Sequence, residues 1–191
     1  MPVVSAEAAR LLLMGAQGLL DDPARGASVP TLRKLIERMG FVQLDSINVV
    51  ERAQHLTLGS RLDDYSHAHF SALLEKERSL FEHWTHDASA IPTKWFAHWK
   101  PRFERDRERV MKSRWWRERM GSDAARVIDE VRGRVAREGP LRSQDFERDR
   151  DGDRRASSAW WGWKPQKAAL EFLWTTGELM VVRRENFQKV Y

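Results

Sequence analysis

The chain has 191 residues, with 33 Lys and Arg against 28 Asp and Glu, a formal charge of +5 and a pI near 9.8. That length buries a real core in one large domain or two small ones, and the basic balance admits a nucleic-acid partner without requiring one. The absence of cysteine excludes disulfides and thiolate metal sites, no apolar run reaches membrane-spanning length, and Met1–Glu7 lacks the basic start and apolar stretch of a signal peptide, so a cytoplasmic protein is expected.

Ser5 predicts an N-cap for a helix to about Leu20, with Ala8, Leu12 and Leu19 on its apolar face and Asp21-Asp22-Pro23 as its stop. Pro30 opens a second helix, where Leu32, Leu35, Ile36 and Met39 follow helical spacing and Gly40 ends the run. Phe41 to Leu44 reads as extended, and Asp45 or Ser46 as the cap of a helix to about Leu56. Tyr65 to Glu82 reads as a helix through Phe70, Leu73, Leu74 and Leu80, followed by an irregular or partly helical connection to Pro92. Thr93 to Met120 is a long charged helix with a break at Pro101. Ser122 caps a helix from Asp123 to Arg137, with Val127, Val131 and Val135 on one face. Gly139-Pro140 then turns the chain into a short strand, Leu141-Arg142, and Ser143 caps a brief helix through Phe146. The Arg- and Asp-rich run from Glu147 to Ser158 is a loop or disordered. Pro165 starts a helix to Thr176, and a hairpin closes the chain, with strands Leu179–Arg183 and Phe187–Tyr191 about a turn at Glu185-Asn186. The expected fold class is mainly α with short β-hairpins, arranged as tandem winged-helix (helix-turn-helix) units. Residues 1–60 form the first unit, 61–120 a helical connector and 121–191 the second unit.

The most telling side chains are Gln43 and Asp45. In an extended segment residues i and i+2 point to one face, so the two would project together with Leu44 turned inward. On a helix they would stand about 200° apart. A carboxylate beside a carboxamide can hold and activate one water. The plainer account is that Asp45 caps the following helix and Gln43 bonds a neighbouring backbone group. His83 and His86 flank Trp84, and on a helix they would share a face. Zinc usually takes three protein ligands, and only Asp87 lies near as a third, so no metal is assigned. The two histidines either support the Gln43/Asp45 segment or DNA, or are core residues satisfied by backbone.

From Lys100 to Arg119 nine Lys or Arg face four Asp or Glu. The first half reads as a solvated helix with i,i+4 pairs. Acids thin out in the second half, where Lys112, Arg114, Arg117 and Arg119 are candidates for DNA phosphates. Trp160, Trp161 and Trp163 precede Lys164, Gln166 and Lys167, which sit at a helix N-terminus favourable to phosphate. Core packing is the simpler account of at least two of these tryptophans. Arg183 and Arg184 sit at the hairpin tip.

Gln43-Leu44-Asp45 followed by Ser46-Ile47-Asn48-Val49-Val50-Glu51-Arg52-Ala53 resembles the signature of the YcaQ/AlkZ family of bacterial DNA glycosylases, which act on alkylated purines and interstrand crosslinks. Phe81 to Pro92 resembles the family's aromatic-x-His-x-Ala-Ser segment, and Leu179 to Tyr191 the hairpin closing its second winged helix. The resemblance implies a DNA glycosylase removing N7-alkylguanine-type bases and unhooking crosslinks, with Gln43 and Asp45 as the catalytic pair. It implies double-stranded DNA as partner, no cofactor, no metal, no membrane and a monomer. Some members carry Gln at the second motif position. Asp45 in its place implies a broader, less crosslink-specialised activity. Members are longer, with a further winged helix and a β-barrel, so the chain reads as an N-terminal portion of that architecture. Two other classes stay open: a non-catalytic winged-helix regulator, which would bind DNA with steep salt dependence yet ignore Asp45→Asn, and a helical interaction module without DNA affinity.

Overall fold

A computed structural model describes residues 3–146 and 165–191. It divides the chain into two units, Met1–Trp95 and Phe96–Tyr191.

The first unit begins with α1 (Ala6–Ala16), whose start is fixed by the Ser5 hydroxyl accepting the Ala8 N–H at 3.1 Å. The helix stops at Ala16 rather than Leu20, and its expected apolar face, Leu12 included, lies exposed. Gly18 explains the early stop. It adopts a φ of +73°, and a Cβ there would sit 2.6 Å from Leu35 Cδ1, so only glycine fits the turn. After a 3₁₀ turn at Pro23–Arg25 comes α2 (Val29–Met39), capped by Ser28 and carrying Leu32, Leu35 and Ile36 into the core.

β1 (Val42–Gln43) follows, and the helix expected from Asp45 or Ser46 does not form. The Asp45 carboxylate accepts the Ile47 N–H at 2.9 Å, which closes an Asx turn instead of a helix cap. The β-branched pair Val49-Val50 weighs against a helix there as well. α3 (Ala53–Gly59) begins only after this loop.

α4 (His67–Ser71) widens into a π turn at Ala72–Lys76 and ends there. The rest of the expected Tyr65–Glu82 helix and the irregular connection after it are an antiparallel hairpin, β2 (Leu80–Trp84) and β3 (Ala88–Pro92). Both strands are buried almost throughout, and β2 places the polar Glu82 and His83 side by side, so neither shows the alternation that would tell a short strand from helix. The sheet order is β1-β3-β2, so the end of the expected helix and the irregular connection after it supply two of the three strands. Leu32, Leu35, Ile36, Leu44, Leu58 and Leu73 belong to the core packed against it.

The second unit opens with α5 (Phe96–Lys112) and α6 (Arg114–Met120). Pro101 lies inside α5 without ending it, and the break falls at Ser113. α7 (Ala124–Glu138) has Asp123, not Ser122, at its N-cap position. Beyond Gly139 the backbones of Leu141 and Tyr191 exchange hydrogen bonds of 3.0 and 2.9 Å, and Arg142 bridges Val190. A 3₁₀ turn at Ser143–Phe146 follows. The loop expected at Glu147 to Ser158 lies outside the described residues. α8 (Pro165–Thr175) is the central helix of this unit, with Ala169, Leu170, Leu173 and Trp174 fully buried. The Glu178 and Leu179 N–H groups both donate to the Leu173 carbonyl, so the chain there caps α8 and the strand starts later than expected. β4 (Arg183–Glu185) and β5 (Gln188–Val190) join through Asn186-Phe187, both at positive φ, as a two-residue hairpin turn requires.

Candidate active site

Pleat and pairing together set the site. Val42 and Leu44 are buried while Gln43 and Asp45 are half-buried, so the period-two alternation runs one residue past β1. The Leu44 N–H donates to the Ala88 carbonyl at 2.8 Å and holds that extension against β3. Gln43 stands opposite Ser89, which stands opposite His83.

His83 is therefore two strands from Gln43, about 10 Å by backbone spacing, and it is fully buried. His86 lies in the β2–β3 turn and reaches back. Its Nε2 is 3.1 Å from Gln43 Oε1. A carbonyl oxygen only accepts, so His86 Nε2 carries the proton in this contact. The two histidines thus do not share a helical face. One is strand core, and the other touches the motif. The His86 ring also meets the edge of Phe41 at 5.8 Å. The turn itself is braced, with Thr85 Oγ1 2.8 Å from Ser89 Oγ and the Asp87 carboxylate accepting the Ala88 N–H at 2.8 Å.

Asp45 is fixed from its other side. Its N–H donates to Oε1 of the buried Gln54 at 3.0 Å, and its Oδ1 accepts from Ile47. Among the described residues Oδ2 takes no hydrogen bond, which leaves one carboxylate oxygen for a ligand. Sequence reasoning missed Gln54, Thr85 and Ser89. Nothing local marks Gln54, because its partner lies nine residues back across an irregular loop.

A second polar cluster was also missed. Ligand atoms of Glu51, His55 and His67 lie within 4.8 Å of one another. Glu51 Oε2 is 2.8 Å from His67 Nε2, its Oε1 accepts the Arg52 N–H, and His55 Nδ1 is 2.7 Å from the Tyr65 hydroxyl. The Arg52 N–H is the main cause holding the Glu51 carboxyl below its usual range. Burial, with the neighbouring His67, pushes His55 down, and burial with the Glu51 charge pushes the Tyr65 phenol up. The two imidazoles are stacked at 3.7 Å and 17°. Lone pairs lie in the ring planes, and nearly parallel planes cannot both converge on one tetrahedral ion. The arrangement is that of a hydrogen-bonded cluster.

The basic candidates fall differently. Lys112 ends α5, 3.8 Å from Glu108; Arg114 pairs with Glu118 at 2.6 Å; Arg117 is exposed; Arg119 stacks on Trp115 at 3.6 Å. Lys167 is exposed on α8, but Gln166 is only 8% exposed, because it faces the inside of a helix that is buried nearly all round. Arg183 pairs with Glu185 at 2.6 Å, and Arg184 donates to the Phe187 carbonyl at 2.7 Å. Lys164, Trp160, Trp161 and Trp163 lie outside the described residues. By sequence, the first unit carries ten Lys and Arg against twelve Asp and Glu, and the second 23 against 16. The net charges are thus −2 and +7.

A carboxylate with one open oxygen, beside a carboxamide pinned by an imidazole, can hold and polarise a water. The model of the AlkZ-like DNA glycosylase family matches residues 36–191, which takes in the whole motif and the entire second unit. The chain belongs to this family, and its class is therefore that of the DNA glycosylases, with DNA as substrate. No solved structure matches the chain. Among the described residues no helix is long and apolar enough to cross a membrane.

Proposed function

We propose that the chain hydrolyses the N-glycosidic bond of N7-alkylguanine-type bases in double-stranded DNA, including the unhooking of interstrand crosslinks. Alkylation at N7 gives the base a positive charge, so it leaves as a neutral molecule when the C1′–N9 electron pair moves onto it, and no strong general acid is needed. The sugar left behind is oxocarbenium-like. Asp45 stabilises that cation and takes a proton from the water whose oxygen bonds C1′. Gln43 orients the water. One Oε1 lone pair is engaged by His86 at 3.1 Å, and the second can accept a water proton. His86 is a positioning residue. The observation that carries the reading is this His86–Gln43 contact beside Asp45, inside the family match.

Asp45 is half-exposed on the surface of its unit, which suits a bulky or crosslinked lesion better than a closed base pocket would. The second unit has the element order of a winged helix: α7, the Leu141-Arg142 pairing, the Ser143–Phe146 turn, α8 and the β4–β5 hairpin. Its excess of basic residues, with Lys112, Arg114, Arg117, Arg119, Lys167, Arg183 and Arg184 among them, supplies phosphate contacts. The protein works as a cytoplasmic monomer. The test is a duplex with one N7-methylguanine, incubated with wild type and Asp45→Asn. Free base from wild type alone supports the reading. Equal release by both refutes the role given to Asp45, and DNA binding without release by either refutes the glycosylase reading and favours a non-catalytic DNA-binding protein.

A further inference from the structure

Seven residues, 46–52, carry the chain from Asp45 to α3 without regular structure. Their tip is apolar. Ile47 is 65% exposed, Val49 90% and Val50 89%. Loop tips favour Gly, Asn, Asp, Ser and Pro, which turn the chain and hydrate well. Three aliphatic side chains in water at such a place call for a partner.

The loop is held at both ends. At its start the Asp45 N–H binds Gln54 Oε1 and the Asp45 carboxylate binds the Ile47 N–H. At its end Glu51 accepts the Arg52 N–H and pairs with His67 at 2.8 Å. Phe41, also exposed, lies on the other side of Gln43, against His86. The catalytic pair is thus flanked by exposed apolar side chains on both sides in sequence. Four residues extend at most about 14 Å, so Val49 works within a few base steps of a C1′ held at Asp45. The first unit has a net charge of −2, so general attraction to phosphate is not what this loop offers DNA.

We infer that Ile47, Val49 and Val50 form an apolar wedge that enters the minor groove beside the lesion and partly unstacks the neighbouring base step. Its occupant is the stack of the duplex itself. This rests on the glycosylase reading for the placing of DNA at Asp45. Aliphatic side chains inserted between base steps kink a duplex and open its minor groove, the side from which C1′ is reached. The exposed tip exchanges water for base faces, and the tethers at Asp45 and Glu51 keep it from folding away.

The experiment uses a duplex with 2-aminopurine next to a 2′-fluoroarabino N7-methylguanine, whose fluorine disfavours the oxocarbenium and blocks cleavage. Wild type is expected to raise 2-aminopurine fluorescence several-fold. Val49→Ser/Val50→Ser is expected to bind by anisotropy with the rise lost, and Val50→Leu to keep it. Both valines are exposed, so a matching thermal melt of the double variant will show an intact fold. A wild-type signal that stays flat, or a rise unchanged in the double variant, overturns the wedge. So does concentration-dependent dimerisation abolished by the same substitutions, which would make the tip a contact between copies. Asp45→Asn is expected to keep the rise. A fluorescence rise without base release in the methylguanine assay would sink the glycosylase reading and leave the wedge standing; release without a rise would do the reverse.

Discussion

His86 gives the sharpest separation between holding the site and performing the chemistry. Its contribution runs through one hydrogen bond, Nε2 to Gln43 Oε1 at 3.1 Å, on an exposed side chain. A neutral hydrogen bond of this kind contributes on the order of 0.5–1.5 kcal/mol net. That corresponds to roughly 2- to 12-fold in rate. Removing a general base costs about 10²–10⁴-fold, so the two losses differ by an order of magnitude or more. The variants are His86→Ala and His86→Phe. The second keeps an aromatic edge against Phe41 and lacks the Nε2 donor, together with the longer 3.4 Å contact of Nδ1 with Thr85 Oγ1. The assay is single-turnover release of N7-methylguanine at saturating enzyme, which isolates the chemical step. Both variants are expected to fall in the smaller range with DNA affinity unchanged. In combination with Gln43→Ala either should add little, because the amide it orients is gone. A loss equal to that of Asp45→Asn would refute the positioning role and put His86 in the proton transfer. Full additivity with Gln43→Ala would refute the contact as its route.

Two further outcomes test the frame around the site. Gly18→Ala is expected to cost about 1–3 kcal/mol, because a Cβ at φ +73° would press on Leu35 Cδ1 in the core, and thermal melts will read it. His55 has a pKa lowered mainly by burial, so the unfolded chain binds its proton more readily than the folded one. Its contribution to stability is therefore whole above the ordinary histidine value of 6.5 and is lost as pH falls through the lower folded value. Glu51, lowered from 4.5, makes the same kind of loss only at more acid pH. Melting temperatures from pH 8 down to pH 5 should fall less steeply for His55→Gln than for wild type. Parallel curves would show that His55 does not titrate across folding.

What could be read in the sequence was whatever a local period decides. Gln43 and Asp45 share a face because extended chain alternates, and that holds whether two residues or six are paired. α2 was legible because Pro30, the Leu32-Leu35-Ile36 spacing and the closing Gly40 all state the same thing. The hairpin at 80–92 was not, because burial on both faces erases alternation. Asp45 shows a subtler limit. A cap and an Asx turn both use its carboxylate to accept a nearby N–H. Whether helix or loop comes next is settled by Gln54 and by the valines that will not coil. His86 needed a partner 43 residues away, and Gln166 needed the knowledge that its helix is enclosed. The resemblance singled out the pair; the fold supplied the residue that touches Gln43.

The division of charge bears on the mechanism. A basic ridge beside Asp45 would help bind phosphates, but it would also pair with the carboxylate. At 4 Å such a pair is worth a few kcal/mol at an effective dielectric near 20. That attraction would compete with the one the carboxylate must offer to a developing oxocarbenium. Electrostatic affinity placed beyond a Debye length of about 8–10 Å contributes to binding without that competition. Around the motif itself such competition is weak: the unit that carries it has a net charge of −2, and its neighbours Phe41, Ile47, Val49 and Val50 are apolar and uncharged. Weak phosphate attraction near the reacting sugar is thus expected of a site that works by stabilising a cation. Contact there must come from surfaces without charge, which is what the exposed loop provides.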